Sequence, residues 1–299
     1  PDYRYVVATI DHGLRAQSRD EVSFVADAAQ QLGVPAHILR PEQKLTGGMN
    51  EAREVRMGML VDLARQEGCA QVHLGHHADD QAETVAMRLL RRSTWRGIAG
   101  LHEKSFVADI AIVRPLLGFR KRELVAMAND IGFVTDPSNV HPKYERARLR
   151  MLIARYPLYF DHLQNLARLA KNWRLRTRNT ILHAFGTGMI TRQNNHICVH
   201  RDVFHGLDME GRGWLLDLLR ASLHPGRYAR SGQAQHRLWH QLQSQKAASL
   251  GACLYSWRKN WLMVGVEKGR SPPKKRLVPT PEDEQDIIEA FQKASVVPI

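Results

Sequence analysis

The sequence predicts an α/β fold: a parallel sheet with helices on both faces, then a helical linker and a smaller, mostly helical C-terminal domain. Three observations carry this. Strand-like and helix-like stretches alternate three times between Tyr5 and Leu90. The first strand is apolar on both faces, as strands covered by helices on both sides are. The segments between strands have helix length and close at glycine, which suits βαβ units better than hairpins.

Tyr5-Val6-Val7-Ala8-Thr9-Ile10 reads as the first strand and ends in a polar loop, Asp11-His12-Gly13-Leu14-Arg15. Ser18 and Glu21 form a capping box. Val22, Val25, Ala29 and Leu32 follow at helical spacing, and Gly33 closes the helix. Val34 to Leu39 is the second strand, and Pro41 to Gly48 a loop. From Asn50 a helix is expected to bury Ala52, Val55, Met59 and Leu63 and to end at Gly68, with Arg53 and Arg56 three residues apart on one side. Gln71 to Leu74 is the third strand.

The stretch Gly75-His76-His77-Ala78-Asp79-Asp80-Gln81-Ala82-Glu83-Thr84 then opens an acidic helix. Spacing puts Asp79, Asp80 and Glu83 together on a face expected to be exposed, and Ala82, Val85, Ala86, Leu89 and Leu90 on the buried side. Carboxylates at a helix N-terminus are stabilised by its dipole, and can also hold a hard cation such as Mg2+. In parallel sheets ligands bind at the carboxyl ends of the strands, where the loops at His12 and His76 both lie. Arg88, Arg91, Arg92 and Arg96 around Trp95 suit phosphate contact and base stacking, or equally a plain surface helix end.

Val113 to Leu117, a helix from Lys121 to Ile131 and a turn at Asp136-Pro137-Ser138-Asn139 come next. Arg146, Arg148 and Arg150 then cluster, either to clamp phosphate or to line a solvated helix. Beyond Tyr156 a long helix around Leu163, Leu166 and Leu169 runs into the basic segment Lys171 to Arg178. Short strands near His196–Val199, Cys253–Tyr255 and Trp261–Val266 flank helices around Trp214–Leu223 and His236–Gln243. Ser271 to Arg276 is basic, and the tail turns acidic. The expected division is 1–155, 156–195 and 196–299.

Lys and Arg number 43 against 30 Asp and Glu, a formal charge of +13 over 299 residues. That excess favours a polyanionic partner, nucleic acid before any other. Three cysteines, Cys69, Cys198 and Cys253, form neither CxxC nor zinc spacing, pointing to a reducing, cytoplasmic setting without a structural metal. No run is long enough for a transmembrane helix, so no membrane partner is expected.

In order, Asp11 to Arg15 with Ser18 and Glu21, Glu51-Ala52-Arg53-Glu54-Val55-Arg56, the Gly75 to Thr84 stretch, Arg88-Leu89-Leu90-Arg91, Arg114-Pro115-Leu116-Leu117, Asp136 to Asn139 and Arg146 to Arg150 resemble the tRNA(Ile)-lysidine synthetase family of the PP-loop ATP pyrophosphatases. The resemblance spans about Val6 to Ile153 and implies an adenine-nucleotide alpha-hydrolase-like fold. It implies a ligase that adenylylates C2 of the wobble cytidine in a CAU-anticodon tRNA(Ile) with ATP and Mg2+. Free lysine then attacks, leaving lysidine, AMP and pyrophosphate. Asp80 and Glu83 would hold Mg2+ or orient nucleotide and lysine. Arg56 and Arg148 would neutralise developing charge. His12, Gly75, His76, His77 and Asp79 would line the nucleotide pocket, and Arg53, Arg91, Arg92, Arg146 and Arg150 would meet RNA. Homologous enzymes suggest a homodimer as one assembly, with no interface legible in the sequence.

The chain departs from the family in several places. The family's Ser-Gly-Gly-x-Asp-Ser loop is absent, and because the chain opens at Pro1 directly on a strand, an N-terminally incomplete enzyme is expected. Met57 stands where tyrosine is usual, Arg92-Ser93-Thr94-Trp95 replaces Arg-Gly-Ser-Gly, and Ala147 replaces asparagine. A non-catalytic tRNA-binding relative stays open as an alternative. A tRNA thiolase of the same superfamily ranks below both, since it would call for paired cysteines.

Overall fold

The computed structural model describes residues 4–11, 18–41, 48–129, 132–133, 145–193, 196–223, 232–244, 247–267 and 280–293. The chain divides into two compact units. The first holds the described residues through Glu83 together with Glu103–Phe160; the second holds Thr84–His102 and the described residues from Asp161 onward.

In the first unit, β1 (Val7–Ile10) leads to α1 (Ser18–Gln31), β2 (Ala36–Leu39), α2 (Gly48–Gln66), β3 (Gln71–His73) and α3 (Ala78–Leu90), the last crossing into the second unit after Glu83. β1 and β2 pair in parallel, Val7 opposite Ala36. The glycines Gly33 and Gly68 close α1 and α2 at φ +70° and +66°, the left-handed conformation that glycine adopts without steric cost. After the short α4 (Trp95–Ile98) of the second unit, the chain returns as β4 (Lys104–Val107), β5 (Ile110–Val113), α5 (Lys121–Ala128) and α6 (Glu145–Arg155). β3 pairs in parallel with β5, and β4 runs antiparallel on the other side of β5. β4 is not legible by turn chemistry: its hairpin to β5 turns through Ala108 at φ 53°, without the Asn-Gly or Asp-Gly that marks such turns.

Two burial expectations need correction. α2 buries Met57, Val61 and Ala64 against Val107, Ile110 and Ile112, with Leu63 the one buried member of the expected stripe. The run Met59-Leu60-Val61 is apolar all round, so spacing alone admits both stripes. On α3, Ala82 and Val85 are buried as expected, but Leu89 and Leu90 are exposed, while Glu83 lies at 1% exposure. The acidic face is therefore not the exposed face expected: Glu83 is buried and Asp79 and Asp80 are half-buried.

In the second unit, α7 (Pro157–Gly186), which starts in the first unit, precedes β6 (Ile190–Gln193), β7 (His196–His200), α8 (Arg201–Gly206), α9 (Met209–Leu223), α10 (Gly232–Gln243), β8 (Ala248–Leu250), β9 (Cys253–Arg258), β10 (Trp261–Val266) and α11 (Glu282–Lys293). The strands form one antiparallel sheet in the order β6-β7-β10-β9-β8. Its core gathers Ile181, Phe204, Trp214, Leu215, Leu219, Tyr255, Leu262 and Phe291. The basic segment of α7 is partly consumed inside this unit. Arg174 is buried, donates to Asp283 at 2.7 and 2.8 Å and to Glu284 at 3.2 Å, and lies over Trp214; Arg178 pairs with Asp286.

Candidate active site

The site begins with a register. β3 and β5 are parallel neighbours with His73 opposite Val113, and the Leu74 N–H donates to the Val113 carbonyl at 2.9 Å. Residues leaving the carboxyl ends of both strands therefore emerge side by side, where α/β sheets bind ligands. Further on, the Ala78 N–H donates to the Phe119 carbonyl at 2.8 Å, tying the start of α3 to the segment ahead of α5. Gly75 sits in this bend with open space where a Cβ would stand.

His77 caps α3. Its N–H donates to the Asp80 carboxylate at 3.0 Å, and the Asp80 N–H reaches back to His77 Nδ1 at 3.4 Å. This reciprocal pair has the logic of a capping box, with an imidazole nitrogen as the cap acceptor. Asp79 holds a different helix. Its carboxylate accepts from Arg120 Nη2 at 3.0 Å and from the Lys121 N–H, the first of α5, at 2.7 Å, while Arg120 lies 3.4 Å over the Phe160 ring. Burial raises the Asp79 pKa, but the Lys121 N–H and the Arg120 guanidinium outweigh it and hold the group below the usual carboxylate range.

Asp80 and Glu83 meet α6. Arg146 donates to Asp80 at 2.8 Å and to Glu83 at 2.5 Å; Arg150 donates to Glu83 at 2.6 and 3.2 Å. The i,i+4 spacing of the two arginines puts both guanidiniums on one side of α6, and Glu83 lies between them. Loss of hydration opposes it, yet the Glu83 hydrogen bond raises the Arg150 pKa further. Arg148, between them in sequence, is exposed. Of the basic residues expected to meet RNA, Arg146 and Arg150 thus hold the acidic face.

His76 lies in an opposite field. Burial first, then Arg114, Arg53 and Arg56, push its pKa down to about 4, with Asp80 opposing, so the ring is neutral at neutral pH. Arg114 is buried, donates to Ser105 at 3.1 Å, and is itself pulled down to about 10 by burial and by Arg53. Arg56 is lowered by burial and by Arg146. His76 Nδ1 and Arg56 Nε are both buried with no hydrogen-bond partner among the described residues. A buried, partnerless nitrogen is costly, and an anion's oxygens would satisfy both atoms. The donor set fits the phosphates of a nucleotide. For Mg2+, Asp80 and Glu83 supply the right oxygen chemistry, since this ion needs only one or two carboxylates beside phosphate and water.

Arg53 is exposed on α2; Arg91 and Arg92 are exposed at the end of α3 and belong to the second unit. His12 lies outside the described residues. Sequence reasoning assigned no role to Arg114, Arg120 or Asp11. Asp11 is buried at the end of β1, and Arg40 donates to it at 3.3 Å. Arg114 follows β5 directly, so its position at a strand's carboxyl end was the available signal.

A family model described as the PP-loop domain matches residues 2–156. The tRNA(Ile)-lysidine synthase of Novosphingobium aromaticivorans is 46% identical over 158 residues, covering 50% of this chain and 48% of that protein. The tRNA(Ile)-lysidine synthase of Hyphomonas neptunium is 32% identical over 292 residues, covering 89% of this chain and 74% of its own length. The chain spans between a third and about half the length of several of the curated relatives it matches. Among solved structures, a U34-tRNA thiolase from Methanococcus maripaludis with its [4Fe-4S] cluster covers 57% of this chain and 63% of its own, at 16% identity and a TM-score of 0.47, a likeness too slight to bear on function.

Proposed function

The chain belongs to the tRNA(Ile)-lysidine synthase family of PP-loop domain proteins, and from that premise we propose that it joins free lysine to C2 of the wobble cytidine of a CAU-anticodon tRNA(Ile), using ATP and releasing AMP and pyrophosphate. The observation that carries the reading is the uneven pairing of charge around Asp80. Arginines and a neutral imidazole gather near His76 with only Asp80 opposing them, while the carboxylates Asp79, Asp80 and Glu83 are each matched by an arginine.

His76 Nδ1 and the Arg56 guanidinium hold phosphate oxygens, and Arg114 and Arg53 add a positive field in which charge leaving as pyrophosphate or AMP is stabilised. ATP supplies the activated phosphoryl group that makes the C2 oxygen a leaving group. Asp80 and Glu83 hold Mg2+ or receive the lysine ammonium, and each exchanges an arginine partner to do so. Arg148, exposed on α6, serves phosphate or RNA. The +13 charge supplies salt-dependent affinity for the tRNA body. The work is cytoplasmic, and a homodimer is one assembly in which it would take place.

The test is lysine transfer: labelled lysine, ATP, Mg2+ and an unmodified CAU-anticodon tRNA(Ile), with protein expressed from its whole gene and an Asp80→Ala control. Incorporation that needs ATP and disappears in the control is the expected result. Salt-dependent tRNA binding without incorporation would replace this reading with the non-catalytic one.

A further inference from the structure

The second unit carries a cluster that this function does not use. From the buried ring of Phe204 on α8, aromatic groups step outward to the surface. Phe204 packs against Trp239 and Trp257 at centroid distances of 5.6 and 5.9 Å. His205, exposed, lies 18° from parallel with Trp257 at 6.0 Å and meets Trp239 at 67° and 6.0 Å. Two guanidiniums sit on these rings, Arg201 5.2 Å from the Trp257 centroid and Arg212 5.2 Å from that of Trp239. Arg212 is fixed there, donating to the Phe204 and His205 carbonyls at 2.9 and 2.8 Å at the end of α8.

What distinguishes this cluster from ordinary packing is rings paired with guanidiniums that meet no carboxylate among the described residues. Within the same unit Arg96 is neutralised by Asp217, Arg174 by Asp283 and Glu284, and Arg178 by Asp286. Arg201 and Arg212 have no carboxylate partner among the described residues, and Arg201 Nε is buried with no hydrogen bond. The acid next in sequence, Asp202, lies instead against His200 at 3.5 Å. Rings that stack, beside cations that keep their charge, are the chemistry by which proteins hold unpaired bases and their phosphates.

We propose that Arg201, His205, Arg212, Trp239 and Trp257 form a stacking platform for an unpaired base of RNA. The base extends the Trp257–His205 stack on the exposed His205 face, and the two arginines take the flanking phosphates. Loss of hydration, then Arg212 and Arg201, hold the His205 pKa below its usual value against the opposing Asp202, so the ring stacks uncharged at neutral pH. The platform rests on the tRNA reading for the RNA it meets in the cell, but its chemistry asks only for an exposed base.

The experiment measures binding by fluorescence anisotropy for the full chain and its His205→Ala and Arg201→Gln variants. The probes are the CAU-anticodon tRNA, a single-stranded oligoribonucleotide, a blunt RNA duplex and AMP, with circular dichroism to check folding. In parallel, a 4-thiouridine-substituted tRNA is photo-crosslinked to the wild-type chain and the peptides are mapped. Each variant is expected to weaken tRNA and oligoribonucleotide about tenfold, with a smaller loss for the duplex, and crosslinks are expected in the peptides holding Arg201–His205 or Trp257. Unchanged binding by folded variants, with crosslinks confined to other peptides, overturns the platform and leaves the tRNA reading standing if lysine is transferred. Platform-dependent RNA binding without lysine transfer keeps the platform and removes the catalytic reading. AMP bound as tightly as the oligoribonucleotide, and lost in the His205→Ala and Arg201→Gln variants that leave the first unit's nucleotide site untouched, makes this a mononucleotide site and overturns the RNA proposal. No RNA binding by the wild-type chain overturns both.

Discussion

Replacing Glu83 by glutamine is the most informative single change. Glu83 is 1% exposed and accepts from Arg146 at 2.5 Å and from Arg150 at 2.6 and 3.2 Å. Glutamine keeps the size and one acceptor oxygen, loses the charge, and turns an amide NH2 towards guanidinium donors. Removing one partner of a fully buried pair costs about 3–5 kcal/mol. The arginine side chains here are 36% and 28% exposed, so water restores part of their solvation. The expected loss is then about 2–3 kcal/mol, or a fall in Tm of roughly 4–12 °C. Circular dichroism melts, and urea midpoints at unchanged m-value, measure it. A double-mutant cycle with Arg150→Met should give a coupling of about 1 kcal/mol or more. A Glu83→Gln variant within about 0.5 kcal/mol of wild type, the range of ordinary surface changes, would refute the reasoning, because the carboxylate would then make no net interaction with α6.

Three further outcomes are expected. The His76 pKa is depressed to about 4 from 6.5, so on acidification the unfolded chain takes up this proton first. Its contribution is intact above pH 6.5 and is lost as pH falls from 6.5 towards 4; His76→Asn should flatten that part of the stability profile, and added pyrophosphate should raise the His76 pKa seen by NMR. Asp79→Asn removes the charge and one of the two oxygens that accept from Arg120 and from the first N–H of α5, with an expected cost of about 1–2 kcal/mol by chemical denaturation. Because the folded Asp79 pKa is lowered, that difference is full above pH 3.8 and shrinks as pH falls through the lowered value. Arg148→Ala, on an exposed side chain, should leave stability within about 0.5 kcal/mol while lowering lysine transfer, and an unchanged transfer rate would remove Arg148 from the site.

Much of the first unit is legible because its signals are local. Apolar strands, the glycine stops at Gly33 and Gly68 and the acidic start of α3 each act over a few residues, and the structure places β1, β2, β3 and α1 to α3 close to where they are read. The partnering was not legible. That Glu83 is buried depends on Arg146 and Arg150, sixty-odd positions away, and no spacing rule reports that distance. The same holds in the second unit, where the basic run of α7 reads only as a basic segment. Arg174 and Arg178 instead meet the acids of α11, which the sequence shows only as an acidic tail. His77 is a milder case: a histidine beside strand and acids reads as a ligand, while its position one residue ahead of α3 lets it serve as the cap.

The geometry also orders the two substrates of the proposed reaction. Asp79, Asp80 and Glu83 are matched by Arg120, Arg146 and Arg150, so the acidic side is electrically closed as it stands. On the His76 side the named influences are three arginines against the one Asp80, so that side has a surplus of positive charge. An anion entering there gains at once, by satisfying His76 Nδ1 and Arg56 Nε and by offsetting the burial, and the repulsion from Arg146 and Arg53, that lower Arg56 and Arg114. A cation entering the acidic side must first displace an arginine. Arg146 links the two sides, since it donates to Asp80 and Glu83 and also repels Arg56. Phosphate bound beside Arg56 offers Arg146 a second acceptor of the same charge, and any shift of Arg146 towards it uncovers Asp80. On the proposed reaction, nucleotide is expected to bind first and lysine second. With lysine held at a fixed subsaturating level, its affinity measured by calorimetry should rise when the nucleotide is present, and the coupling should vanish in Arg146→Met. Equal lysine affinity with and without nucleotide would mean that the two sides act independently.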